Sequence, residues 1–226
     1  RQALAAVEAS QARSYSPILA ERRAELAFAL QMQDRWAESL ALFEARDRGL
    51  RSNAVQFART GSVRSDWAHA LIRNGRTDEA VEMMQRIVAY QQRIPYSDPQ
   101  ILARAKGFLA YALAARGDDQ RALPVFTEAL PALVRLVSGD SEGDGLGAAR
   151  QFRINAILES YLALLARLQA RGAAVDGKDP VAEAFAIADV ARGSAVQRAV
   201  IASSARASLS DPALAELARK EQDAGN

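Results

Sequence analysis

Apolar residues recur along almost the whole chain at intervals of three and four, the spacing that lines one face of an α-helix, and the runs are broken by glycine, aspartate and proline. The pattern predicts a first helix over residues 1–13. Ser16-Pro17 then supplies an N-cap and an N1 proline for a helix running to about Met32. A further helix opens at Asp34 to Trp36 and continues past Phe43. Downstream, "SGDSEGDGLGAA" (138–149) is acidic and glycine-rich and reads as an exposed, mobile loop. A strong helical pattern follows over 152–171. The loop "GAAVDGKDP" leads to a helix over 181–193, and these two form an irregular fourth pair. "SAVQRAVIASSARASL" is helical again, and Asp211-Pro212 caps a last helix through about Gln222.

Three of the predicted turns obey one rule. In "LQMQDRWAESLALFEAR" (30–46), "LIRNGRTDEAVEMMQRI" (71–87) and "LAARGDDQRALPVFTEA" (113–129), the turn residues Asp34, Gly75 and Gly117 lie 41 and 42 positions apart. Seven residues before each turn stands a small residue, Ala27, Ala68 or Ala110, and five after it another, Ser39, Ala80 or Ala122. A bulky residue follows four later, at Phe43, Met84 and Phe126, sized to fill the space between neighbouring helix pairs. This grammar resembles the tetratricopeptide repeat (TPR), over about residues 17–130. The resemblance implies an all-α, TPR-like superhelix of antiparallel helix pairs, since no pair buries its own apolar stripe. The interval exceeds the usual 34 or so, as in the 42-residue variety of the repeat. Pro124 and Pro131 each remove an internal hydrogen bond from the third second-helix, so a bend is expected there. The domains expected are helical repeats over 1–136, a flexible acidic loop over 137–151, and a helix pair with a C-terminal helical segment over 152–226.

Composition sharpens this picture. Half of the 226 residues are apolar and only 6% aromatic, a mix that favours helix over sheet. The formal charge is +2, with 29 basic and 27 acidic residues interspersed, which argues against a nucleic-acid surface. Cysteine is absent, removing disulfides, thiolate nucleophiles and thiolate metal sites. No apolar run approaches the roughly 18 residues of a membrane span, so neither nucleic acid nor membrane is an expected partner, and a cytoplasmic location is expected. The chain opens on "RQALAAVEAS" without Met and reads as a piece of something longer.

Residues 184–224 carry "ADVARG", "VQRA" and "DPALAELARKEQD". They resemble the segment that follows the TPR array in large bacterial CHAT proteins, which join such an array to a caspase- and separase-like cysteine peptidase domain. The resemblance implies that this chain is the regulatory half and that a peptidase domain follows it. That peptidase needs a cysteine nucleophile and a histidine base. Neither is carried onto this sequence, which lacks cysteine and whose single histidine, His69, falls within a repeat helix.

Three further motifs fail on context. "GAAVDGK" (172–178) has P-loop spacing, but Asp179 stands where Ser or Thr must ligate magnesium, and a helix precedes it where a strand is required. "GDGLGA" (143–148) imitates a dinucleotide fingerprint without a preceding strand. "DSEGDG" imitates the start of a calcium loop but puts Gln151 where a bidentate glutamate belongs. Trp36 and Trp67 fall on apolar stripes and read as core. No catalytic constellation emerges, so the chain reads as a non-enzyme, with neither cofactor nor metal expected.

Register does suggest a binding surface. The residue after each small one before the turn is Phe28, His69 or Tyr111, and Gln31, Arg73 and Ala114 continue the same face. In TPR proteins that position faces the concave groove. Phe28, His69 and Tyr111 in a row with Gln31, flanked by Glu21, Arg73 and Arg104, form a candidate groove for an extended peptide or a helix. The expected function is therefore a protein-interaction module, the sensor half of a CHAT-type protein. The competing reading is a stand-alone TPR adaptor in assembly or chaperone work.

Overall fold

The structure, a computed structural model, describes residues 14–60, 64–95, 98–138, 145–173 and 179–189. The helices predicted over 1–13 and beyond 193 lie outside the described residues. Eight helices follow in order: α1 (Pro17–Gln31), α2 (Trp36–Arg51), α3 (Ala54–Thr60), α4 (Ser65–Arg73), α5 (Thr77–Arg93), α6 (Pro99–Arg116), α7 (Asp119–Ser138) and α8 (Gly145–Ala170). Residues 180–189 are helical as well, and no strand occurs among the described residues.

Pairing is enforced by the turns. Asp34, Gly75 and Gly117 have φ of 55°, 77° and 88°, and Gly172 joins them at 66°. Each is the left-handed residue of a Schellman motif. The amide after it, on Arg35, Arg76, Asp118 or Ala173, donates to the carbonyl five residues back, on Leu30, Leu71, Leu113 or Leu168. So tight a reversal returns the chain antiparallel, pairing α1 with α2, α4 with α5, and α6 with α7. The residue entering each second helix then pairs with the residue three further on: Arg35 with Glu38, Arg76 with Glu79, and, with the charges exchanged, Asp118 with Arg121.

Stacking follows from residue size. Ala27, Ala68, Ala110, Ser39, Ala80 and Ala122 are all fully buried, which lets helix axes approach, while Phe43, Met84 and Phe126 fill the seams. Successive pairs join through α4 against α2 and α6, through α5 against α6, and through α8 against α6 and α7. This is a TPR-like stack of helical hairpins with one continuous core.

Four local features differ from the sequence reading or refine it. Pro17 opens α1, but the Ser16 side chain makes no capping bond. A short extra helix, α3, fills the link between the first two pairs, with Asn53 Oδ1 accepting from the Gln56 amide at 3.0 Å. The helix α7 runs through both Pro124 and Pro131, whose side chains are exposed. Finally, α8 starts at Gly145 instead of 152, so residues 145–151, expected to be loop, are helical. Two glycines there cost about 1 kcal/mol each relative to alanine. The contacts made by Phe152 and Arg153 one turn further on offset that penalty.

Candidate functional site

The first helices of the pairs, α1, α4 and α6, carry the predicted groove residues, and their register places Phe28, His69 and Tyr111 as neighbours. The ring of His69 lies 5.6 Å from that of Tyr111 and 5.6 Å from that of Phe108. Between Phe28 and His69 a residue of α8 intervenes: the Phe152 ring sits 5.7 Å edge-on from Phe28, 5.9 Å from His69 and 6.4 Å from Trp36, nearly parallel to the latter. Trp36 in turn approaches His69 to 4.6 Å. Phe152 thus links Phe28 to His69 and Tyr111 in one aromatic cluster, its ring coming from a fifth helix, α8.

Arg153 extends the contact. Its guanidinium donates from Nε at 2.6 Å and from Nη2 at 2.9 Å to the two oxygens of Asp66 on α4. It also lies 4.1 Å above the Phe28 ring. These contacts arise because α8 is long and serves two purposes. From Ile154 on it packs as the next first-helix of the stack, with Ile157 against Gly107 and Tyr161 against Phe126. Its first half reaches α1 and α4, which belong to earlier pairs.

Of the residues singled out from register, Gln31 and His69 are buried within this chain. Gln31 is fully enclosed and its amide donates to Ser39 Oγ at 3.1 Å and to the Asp66 carbonyl at 2.7 Å, tying α1, α2 and α4 together. His69 is 2% exposed, and burial pushes its imidazole down to about 4, aided by Arg73 and Arg153 and opposed by Asp66. Its Nδ1 has no hydrogen-bond partner among the described residues. Glu21 is exposed and pairs with Arg64 at 2.5 Å. Ala114 is buried, and its carbonyl accepts from Arg167 at 3.2 Å.

Phe28 is half-buried beneath Arg153, and the other three stay accessible. Arg73 is exposed and lies 4.8 Å over the Trp36 ring. Tyr111 is half-buried, which raises its phenol, against the opposing effect of Arg73. Arg104 is half-buried too, and burial first, then Arg153 and Arg150, lowers its proton affinity, while Asp98 and Asp66 oppose.

Sequence reasoning missed Phe152, Arg153 and Asp66, and assigned Trp36 to core packing alone. An aromatic–arginine pair immediately before an apolar stripe was the available signal, but nothing local says which helices it meets. Among the described residues no three of His, Cys, Asp and Glu converge to hold a metal, and no helix is long and apolar enough to cross a membrane. Of the nucleotide-loop mimics, Gly172 ends α8 and Gly145–Ala148 are helical, while 174–178 and 139–144 lie outside the described residues.

No family model and no curated protein matches the chain. Among solved structures it is similar to a Podosopora anserina kinesin light chain with nearly identical TPR-like repeats, at 22% identity and a TM-score of 0.48, over 85% of this chain and 82% of that one.

Proposed function

We propose that this chain is a protein-interaction module that holds a segment of a partner protein along the face formed by α1, α4 and α6, with Arg73, Arg104 and Tyr111 as the accessible contacts. The placement of Arg73 over the Trp36 ring and beside the half-buried Tyr111, with Arg104 on the same helix as Tyr111, carries this reading. An acidic, amphipathic partner segment pairs with Arg73 and Arg104 and lays its apolar side on Tyr111. Binding is non-covalent and needs no cofactor.

The resemblance of residues 184–224 to the linker of CHAT proteins supports a narrower version. In it the module is the sensor half of a protein whose peptidase domain is encoded downstream, and occupancy of the face alters that domain. Reading the residues encoded after Asn226 checks this version, and a segment without a His…Cys peptidase domain there removes it.

Fluorescence anisotropy with an acidic amphipathic peptide and its charge-inverted counterpart tests the broader reading. The acidic peptide is expected to bind, the basic one not, and Arg73→Ala with Tyr111→Ala to weaken the former about tenfold. Equal binding of both peptides, or an unaffected double variant, would leave the face without this role.

A further inference from the structure

The first half of α8 covers part of the same face, and that half makes contacts a structural helix of this stack does not need. From Ile154 on, the helix already stacks on α6 and α7 and buries Ile154, Ile157, Leu158, Tyr161, Leu164 and Leu165. In a stack of hairpins each first-helix meets the one before it. Phe152 and Arg153 instead meet Phe28 on α1, Trp36 at the start of α2, and His69 and Asp66 on α4. The seat has three parts: an aromatic slot between Phe28, Trp36 and His69, a cation position above Phe28, and a carboxylate that accepts two bonds from one guanidinium. Together they specify an aromatic residue followed by an arginine on a helix, because only a planar fork satisfies Asp66 twice while stacking on a ring.

We propose that Phe28, Trp36, His69 and Asp66 form a receptor site for a helix bearing an aromatic–arginine pair, that α8 occupies it in cis through Phe152 and Arg153, and that a partner helix with the same pair displaces it. This rests on the reading that the face binds partners, and it assigns the half of the face adjoining Tyr111 and Arg104. The cis occupant fits incompletely. Phe152 stays half-exposed, and in the neighbouring core the buried His69 Nδ1 and Gln31 Oε1 have no hydrogen-bond partner among the described residues. A partner that supplies such a bond has an advantage that α8 lacks. Arg153 also adds to the positive field at Arg104, so its departure changes the charge that an acidic segment of the partner meets.

A labelled peptide spanning residues 145–160, added in trans to the whole chain, tests the proposal. Phe152→Ala with Arg153→Ala vacates the seat, so the peptide is expected to bind this variant about tenfold more tightly than the unaltered chain. Adding Asp66→Asn to the vacated variant abolishes the gain. Binding no tighter to the folded vacated variant than to the unaltered chain, or indifferent to Asp66→Asn, overturns the proposal. Hydrogen exchange on the unaltered chain gives a second measurement that needs no variant. Amides of 148–153 are expected to exchange at least about tenfold faster than those of 157–165. Uniform protection of both halves means that α8 opens only with the whole fold, and the proposal fails. The acidic-peptide titration reads Arg73 and Tyr111 instead, so failure there and failure here remain distinguishable.

Discussion

Arg153 of α8 and Asp66 of α4, 87 positions apart in the chain, form a two-bond ion pair that no repeat rule requires. The two side chains are 24% and 13% exposed, so water screens the pair less than it screens pairs such as Arg22 with Glu25 on the outer surface. Here an interaction of distant sequence origin fixes where the first half of α8 lies.

Truncating either partner is therefore expected to cost about 2 kcal/mol, because the other charge is left partly buried without its mate. A double-mutant cycle on Asp66→Ala and Arg153→Ala, read by urea unfolding, is expected to return a coupling of about 1 kcal/mol. Arg153→Lys keeps the charge but neither the fork nor the stacking on Phe28, and should recover less than half of that coupling. Strict additivity in the cycle would show that the pair contributes nothing.

Stability is expected to depend on pH through His69. Its folded-state value of about 4 lies below the ordinary 6.5, so between those limits the unfolded chain binds a proton that the native chain refuses. The contribution is complete above pH 6.5, declines as the pH falls, and stops changing near pH 4, where the native imidazole also titrates. Over that window the loss amounts to about 3 kcal/mol. Replacing His69 by leucine, of similar bulk and without a titrating group, should flatten this part of the stability–pH curve. An unchanged slope would place its cause elsewhere.

The repeat grammar was legible in sequence because it is local: small residues, bulky residues and turn residues at fixed offsets each answer a constraint within one hairpin or between it and the next. Ala68, Ala80 and Met84 are buried as that grammar requires. The groove was legible only as a register, since sequence gives the face on which His69 lies but not what covers it. Burial of His69 and Gln31 depends on Phe152 and Asp66, contacts made across other helix pairs. Gln31 shows the limit well, because its bonds to Ser39 and to the Asp66 carbonyl involve three helices at once. The early start of α8 escaped for a related reason: its glycine-rich first turns read as loop by local propensity, and tertiary contacts hold them helical.

At the hairpin turns the demand for a left-handed residue is a backbone demand alone. A Cβ on Gly75 or Gly117 meets nothing within 4 Å, so substituting alanine costs only the φ penalty. That penalty is about 1 kcal/mol at each site. Asp34 already bears it, at a φ of 55°. Asp34→Gly should therefore stabilise the first hairpin by up to about 1 kcal/mol, less whatever the bond from Trp36 Nε1 to its carboxylate contributes. Thermal unfolding of the three single variants checks both signs together, and a stabilising Gly75→Ala would mean that the turn is not held in the form described.

Gly107 is constrained by packing instead of by φ. A Cβ there would lie 2.9 Å from both Cδ1 and Cγ2 of Ile157 and 3.1 Å from Cδ1 of Leu133, and both neighbours are completely enclosed, so they have little room to yield. Alanine gains about 1 kcal/mol in helix propensity. Overpacking costs about 1–3 kcal/mol. The net expectation for Gly107→Ala is a loss of about 1 kcal/mol, since the clash falls on two atoms of one β-branched side chain whose χ1 is stiff. Ile157→Val removes one of those atoms. Alone it should cost about 1 kcal/mol. Combined with Gly107→Ala it should cost less than the two losses together, the sign of coupling expected when one change relieves the strain made by the other. Because Gly107 sets how closely α8 approaches α6, the alanine variant is also expected to move Phe152 against Trp36. In a Trp67→Phe background this appears as a shift in Trp36 emission, and an unshifted spectrum with unaltered stability would show that α6 and α8 are not held at that distance by the glycine.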